Sequence, residues 1–421
     1  MLSLELIRQD PEYVRHALER RGEDPPLDKI LSLDQERREL QARSDVLRAK
    51  RNEVSKTIGR MQGDRSELIA QMRQVGDEIS KLDLNHSGIQ QELDTLLLEL
   101  PNIPLEDVPD GKGEEDNVVV RTWGEVPTFD FEPLPHWDLG EHLGIIDFQR
   151  GVKLAGSRFF VLMGQGARLE RALISFMLDL HTGKNGYREA QLPAMVRRDV
   201  MVGSGNLPKF GDNLYHDEED DLWLIPTAEV PLTNLHRDEI LPSGSLPLRY
   251  TASTPCFRRE KAAAGRDTRG IKRVHQFQKV EMYKFVEPQS SDEELESLVV
   301  DAEAVCQALK LPYRVLKLCA TELGFASAKS YDLEMWAPGS QEWLEVSSCS
   351  NCTDFQARRA NIKYRCKEGA TPAFVHTLNG SGLALPRVII SILENGQRKD
   401  GSVEVPQALH PYTGFEVIEG P

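Results

Sequence analysis

The sequence predicts an α+β protein: an N-terminal antiparallel helical coiled-coil hairpin, then a larger domain built on a mostly antiparallel sheet flanked by helices. Three observations lead there. Apolar residues recur at heptad spacing through two long runs between 27 and 100. A proline-rich stretch, about 101–135, interrupts the chain. Beyond it, short apolar runs follow one another as neighbours more often than as strand–helix–strand units, which favours hairpins over a parallel sheet.

Residues 1–26 open with a short amphipathic segment and end at Asp24-Pro25-Pro26, a ready start for a helix. In the first long run Leu33, Leu40, Leu47, Val54 and Met61 recur every seven residues, while the companion row Ile30, Arg37, Ser44, Arg51, Ile58 is apolar only at its ends. A turn at Gln62–Ser66 follows. The second run carries the fuller seam: Leu68, Met72, Val75, Ile79, Leu82, His86, Ile89, Leu93, Leu96, Leu100. Alternating spacings of four and three indicate a left-handed coiled coil, and so short a turn folds the legs back as an antiparallel hairpin. At 1.5 Å per residue each leg reaches ~50 Å, far beyond what core packing requires. From Arg37 to Arg60 the first leg has eight basic and three acidic residues, net +5, and the return leg from Glu67 to Leu100 has two and seven, net −5. The first leg therefore offers Arg37, Arg38, Arg43, Arg48, Lys50 and Arg51 to a polyanion such as RNA, with mutual attraction between the legs as the competing explanation. His86, alone in the seam, is assigned no function.

The linker holds Pro101, Pro104, Pro109, Pro127, Pro133 and Pro135, with one strand expected at Val118–Val120. Phe159–Leu162 then reads as a strand, and Leu169, Ala172, Leu173, Phe176, Met177 and Leu180 mark one helical stripe of ordinary core. Further strands are expected at 222–225, 250–257, 275–286, 313–318 and 343–346.

With 421 residues, 40% apolar and 28% charged, the chain is long enough for two or three domains and a large core. No run approaches the ~18 apolar residues of a membrane span, and Met1-Leu2-Ser3-Leu4-Glu5 lacks the order of a secretory signal, so a cytoplasmic location and no membrane partner are expected. Six cysteines are too few for a disulfide framework. A net charge of −16 argues against generic coating of nucleic acid.

Against that acidity stands a basic island. Residues 261–273 contain Lys261, Arg266, Arg269, Lys272 and Arg273 against the single acid Asp267, net +4, between two strand candidates that together form a hairpin. By the period-two rule Arg258 and Glu260 share one face of the first strand, and Phe277 and Glu281 one face of the second. A guanidinium, an aromatic plate and two carboxylates on one wall suit a nucleotide and a zwitterion. No phosphate-binding loop is present: Gly183-Lys184 lacks a glycine five residues upstream of Gly183, and no Gly-x-Gly-x-x-Gly occurs. Phosphates must then be gripped by arginines, among them Arg387 at the start of an apolar helix. Cys349 and Cys352, with Cys366 and His376 downstream, lack the second close pair of a structural zinc site, and no zinc is expected.

Phe257-Arg258-Arg259-Glu260 with the Phe277…Glu281 strand resembles motif 2 of the class II aminoacyl-tRNA synthetases. Asn379-Gly380-Ser381-Gly382-Leu383-Ala384-Leu385-Pro386-Arg387 resembles motif 3, and Gly186–Pro193 resembles motif 1. Ala384 and Pro386 depart from the general motif 3 and are similar to its seryl branch, as are Thr227-Ala228-Glu229, Glu345-Val346-Ser347-Ser348 and the helical hairpin. The resemblance to the bacterial-type seryl-tRNA synthetases covers essentially the whole chain. It implies an RNA-binding domain at 1–110 with its arm at about 27–100, a class II catalytic domain at 111–421, and a homodimer through motif 1. It implies ATP, Mg²⁺, L-serine, tRNA(Ser) and also tRNA(Sec) as cofactors and partners. Arg258 would hold the α-phosphate with Arg259 beside it, Glu260 the adenine amino group, and Phe277 with Arg387 the adenine ring. Val274 and the segment Glu345, Val346, Ser347, Ser348 would also meet ATP, Glu345 and Ser348 holding Mg²⁺. Thr227 and Glu229 would meet the serine ammonium, Glu281 its hydroxyl, and Ala228, Asn379 and Ser381 would belong to the same serine site. Arg258, Glu260, Glu345 and Arg387 would carry catalysis. A catalytically silent relative would have no reason to keep these together, and a ligase loading a carrier protein would not need the arm.

Overall fold

The computed structural model describes residues 1–261 and 269–420, so Arg266 and Asp267 of the basic island lie outside the described residues. The chain divides into two compact units. One comprises Leu2–Glu19 and Glu23–Leu100; the other comprises Pro101–Pro421 with Met1 and Arg20–Gly22.

In the first unit, two short helices precede α1 (Leu27–Arg60) and α2 (Ser66–Glu99), each of 34 residues. The connection occupies 61–65, one residue earlier than the sequence suggested, and within it Asp64 Oδ1 accepts from the backbone N–H (2.9 Å) and hydroxyl (2.6 Å) of Ser66, the first residue of α2. Both heptad rows of α1 face the partner leg, the polar one included. Ser44 is buried and donates to Asp83 Oδ1 at 3.0 Å. Ile79, Leu82, Leu93 and Leu97 fill the seam from α2. Ion pairs Lys29–Glu92 (2.6 Å), Arg48–Asp83 (2.8 Å) and Arg43–Glu78 (3.9 Å) join the legs.

The second unit is organised on an eight-stranded sheet. In chain order its strands are β1 (Val118–Trp123), β2 (Arg188–Glu189), β3 (Leu248–Phe257), β4 (Gln276–Val286), β5 (Tyr313–Lys317), β6 (Lys329–Ala337), β7 (Glu342–Asn351) and β8 (His376–Ala384). They lie side by side as β1-β5-β6-β7-β8-β4-β3-β2, antiparallel throughout except for β2 beside β3. The expected strand at 159–162 shrinks to Val161–Leu162. Three helices, α3 (Gly164–Gly183), α4 (Ser291–Leu309) and α5 (Leu385–Gly396), contribute their apolar stripes to the main core. Among the described residues, no helix is long and apolar enough to cross a membrane.

Period two explains how one sheet serves both core and site. Along β4, Val280, Met282 and Val286 enter the main core with the helices. Phe277, Lys279 and Glu281 line a cavity on the other face, and Tyr283 and Phe285 continue that face into a second apolar cluster. On β8, Asn379 and Ser381 face the cavity, while the intervening glycines let helices approach from behind: a Cβ on Gly380 would meet Cys349 Sγ at 2.9 Å and Leu298, and one on Gly382 would meet His181 Nε2 at 2.8 Å.

Candidate active site

The cavity, about 270 Å³, opens over β4, β7 and β8. Of the residues singled out from the sequence, Thr227, Glu229, Arg258, Glu260, Val274, Phe277, Glu281, Glu345, Val346, Ser348, Asn379, Ser381 and Arg387 line it. Ala228, Arg259 and Ser347 do not. Ala228 is wholly buried. Arg259 donates to the Leu214 carbonyl at 2.8 Å and stacks over Tyr215 at 4.5 Å. Ser347 lies on the opposite face of β7, bonding the Ser381 carbonyl at 2.6 Å.

Two details differ from the alternation argument. β3 ends at Phe257, and Glu260 has φ 49°, so the placement of Glu260 beside Arg258 comes from a left-handed turn and not from strand period. Arg258 itself stays registered with the hairpin through its N–H to the His275 carbonyl, 2.9 Å. Its guanidinium lies over the Phe277 ring at 5.2 Å and donates to the Pro226 carbonyl at 3.3 Å. Arg387, expected to sandwich the adenine ring with Phe277, donates to the Glu345 carbonyl at 2.6 Å and meets its carboxylate at 3.3 Å.

Lys279, which the sequence reading passed over, is central. Its ammonium pairs with Glu281 and donates to Thr227 Oγ1 at 2.8 Å; that hydroxyl donates to Glu281 Oε2 at 3.0 Å. Lys279 shares the period-two face of Phe277 and Glu281, so the signal was present. Glu229 is held differently: its Oε1 accepts from Gln356 Nε2 (2.6 Å) and Asn379 Nδ2 (3.0 Å), and it makes no ion pair among the described residues. Burial, and after it the charge of Glu281, pushes its carboxyl up to about 7. Glu345 goes the other way. Desolvation opposes its charge, but Arg387 and Arg258 prevail and hold it below the ordinary carboxylate range.

Glu345 and Ser348 present oxygen donors to one cavity, the chemistry Mg²⁺ prefers, and Asp332, across the β6–β7 ladder from Ser348, has an Oδ1 without a hydrogen-bond partner among the described residues. Among the described residues no group of three or more His, Cys, Asp or Glu is assembled around a metal position. Burial pushes the Cys349 thiol up to about 12, which makes it a poor thiolate. In the arm, Arg37 and Arg38 clasp buried Asp34 (2.8 and 3.1 Å), and Arg43 and Arg48 pair across the legs; Lys50 and Arg51 make no ion pair among the described residues.

Comparison with known proteins decides the family. The class II tRNA synthetase core domain (G, H, P, S and T) matches residues 212–396, and the seryl-tRNA synthetase N-terminal domain matches 1–104. The serine–tRNA ligase of Thermomicrobium roseum is 62% identical over 98% of this chain and 94% of its own, and that of Herpetosiphon aurantiacus 58% over 98% and 99%. The chain belongs to the seryl-tRNA synthetases. It is thus a class II aminoacyl-tRNA synthetase, a serine–tRNA ligase. The crystal structure of seryl-tRNA synthetase from Pyrococcus horikoshii complexed with ATP is 42% identical, with TM-score 0.94 and full coverage of both chains. The cytoplasmic enzyme of Naegleria fowleri in complex with AMP is 32% identical, with TM-score 0.88 over 100% of this chain and 99% of that one. The cavity of this synthetase is therefore the candidate active site.

Proposed function

We propose that this synthetase activates L-serine with ATP in the cavity over β4, β7 and β8 and transfers it to the 3′ end of tRNA(Ser), and also of tRNA(Sec). The observation that carries the reading is the convergence of Arg258, Glu281, Glu345 and Arg387 on one cavity from separate strands and a helix start. ATP binding is supported by the similarity to the Pyrococcus horikoshii synthetase complexed with ATP.

In the mechanism, Glu229 receives the serine ammonium and Glu281 its hydroxyl, with Thr227, Asn379 and Ser381 closing the pocket. Phe277 and Arg387 take the adenine and Glu260 its amino group. Arg258 leaves the Phe277 face for the α-phosphate. The serine carboxylate attacks the α-phosphorus in line and pyrophosphate departs; the 2′- or 3′-hydroxyl of the terminal ribose then attacks the seryl carbonyl and AMP leaves. No protein nucleophile is needed, because nucleotidyl transfer asks mainly for positioning and charge stabilisation. Mg²⁺, held by Glu345 and Ser348, would supply further positive charge to the phosphates when bound.

The domain at 1–110 with its arm engages the RNA, and the enzyme acts as a homodimer in the cytoplasm. Lys50 and Arg51 are the arm cations best placed for phosphate, since the other four already have carboxylate partners. Serine-dependent ATP–pyrophosphate exchange tests the core of the reading: no exchange with purified protein, serine, ATP and Mg²⁺ would sink it.

A further inference from the structure

Gln356 lies on the short helix Phe355–Ala360, wholly buried, behind the cavity wall. Its amide makes its full set of four hydrogen bonds. Nε2 donates to the Ser204 carbonyl (3.0 Å) and Glu229 Oε1 (2.6 Å), and Oε1 accepts from the hydroxyls of Tyr283 (2.9 Å) and Thr377 (2.8 Å). A carbonyl and a carboxylate can only accept, so the amide has one orientation, with its donor end on Glu229.

We propose that Gln356 is a positioning residue that keeps Glu229 aimed and ionised for the ammonium group of serine. The inference rests on the assignment of that ammonium to Glu229. Glu229 is faced by Lys279, Glu281 and the Tyr283 hydroxyl from β4, Arg258 after β3, Asn379 from β8, Cys352 after β7, and Gln356. Burial and Glu281 both work against its charge; the charge of Lys279, then the Gln356 hydrogen bond, then Arg258 work for it. A lysine or arginine behind the wall would do the same electrostatically, but would compete with the substrate for the carboxylate. A neutral amide stabilises the anion on Oε1 and leaves the negative charge for the incoming cation.

The test is pyrophosphate exchange at varied serine, varied ATP and pH 6–9, for Gln356→Met, Tyr283→Phe and Glu229→Gln. Gln356→Met should raise the serine KM about ten- to a hundredfold at neutral pH, as loss of a hydrogen bond to a charged group does. It should also move the acid limb of kcat/KM for serine to higher pH by about one unit while the ATP KM stays put. Tyr283→Phe keeps the ring and removes one of the two donors that orient the amide; its limb should move the same way by less, which keeps the question decidable if Gln356→Met does not fold. Parallel rises in both KM values with an unmoved pH limb would mean a merely structural role and overturn the inference. So would wild-type serine KM and limb in both variants while Glu229→Gln has lost serine binding. Normal serine binding by Glu229→Gln would instead remove the underlying ammonium assignment, and the inference with it.

Discussion

Replacing Glu229 with glutamine separates what the pocket needs for binding from what the fold needs for stability. The side chain keeps its shape and an oxygen for Gln356 and Asn379; only the charge goes. Burial, then Glu281, raises this carboxyl from 4.5 to about 7. A group whose pKa rises on folding binds more protons in the native state than in the unfolded one between those values, so stability falls as pH climbs from 4.5 through about 7. Above that window the native wild type carries the full cost of the ionised carboxylate, at most ~3 kcal/mol and less where cavity water screens it. The glutamine variant never carries it. In thermal unfolding at pH 8 the variant should therefore melt above wild type, by about 1–1.5 °C per kcal/mol recovered, with the gap closing as pH falls toward 5. Saturating serine brings the missing cation to wild type only, so adding it should narrow the gap at pH 8 while the variant's serine KM is strongly raised. A variant that melts below wild type at pH 8, or a gap that ignores pH between 5 and 8, refutes the reasoning.

Arg258→Ala removes a fixed positive charge where negative charge builds, a loss of ~2.7–4 kcal/mol for preorganised groups, so exchange should fall about a hundredfold or more at unchanged fold; a near wild-type rate would clear Arg258 of the role. Glu281→Gln keeps the shape but strips the counter-ion from Lys279 and leaves a neutral, weaker acceptor for the hydroxyl; serine activation should drop while the preference over alanine narrows from the large ratios typical of buried hydroxyl readers, and an unchanged serine-to-alanine ratio removes Glu281 from the pocket. Deleting Leu33–Leu96 behind a short flexible turn should spare pyrophosphate exchange and abolish tRNA charging, with charging by the intact enzyme weakening as salt rises; equal loss of both activities would contradict a separate RNA-binding arm.

The coiled-coil rows were readable because helical period alone fixes which residues face the partner leg. Even the polar row Arg37, Ser44, Arg51 obeys it, and Ser44 meets Asp83. The cavity residues of β4 and β8 were readable for the same reason at period two. What escaped is what period does not encode. Glu260 reaches the cavity through a left-handed residue past the end of β3. Arg259, which the resemblance placed at ATP, points away toward Tyr215, the side opposite to Arg258 and Glu260. The charges of the two legs left phosphate and mutual attraction open, and Arg43 and Arg48 meet carboxylates on the return leg whose pairing no one-dimensional pattern specifies. Gln356 is the extreme case: its four partners stand 152, 127, 73 and 21 residues away.

The charges of the cavity also argue for where a zwitterion must sit, without appeal to relatives. Four carboxylates, Glu229, Glu260, Glu281 and Glu345, share the lining with Arg258, Lys272, Arg273, Lys279 and Arg387. Three of the carboxylates are already served: Lys279 pairs with Glu281, Arg387 with Glu345 and Arg273 with Glu260, while Lys272 pairs with Glu342. Arg258 lies over Phe277. Glu229 is left with neutral donors on one oxygen, and its carboxyl is correspondingly driven up to about 7. A desolvated anion without a cation gains most from one that arrives with the ligand, because the interaction replaces no existing ion pair. Glu281, by contrast, would have to surrender Lys279 to bind an ammonium, whereas it can accept a hydrogen bond from a hydroxyl while keeping its counter-ion. These charges support the proposed placing of the ammonium at Glu229 and the hydroxyl at Glu281. Of the lining cations, Arg258 has no carboxylate in contact among the described residues, and so has most to gain from a phosphate.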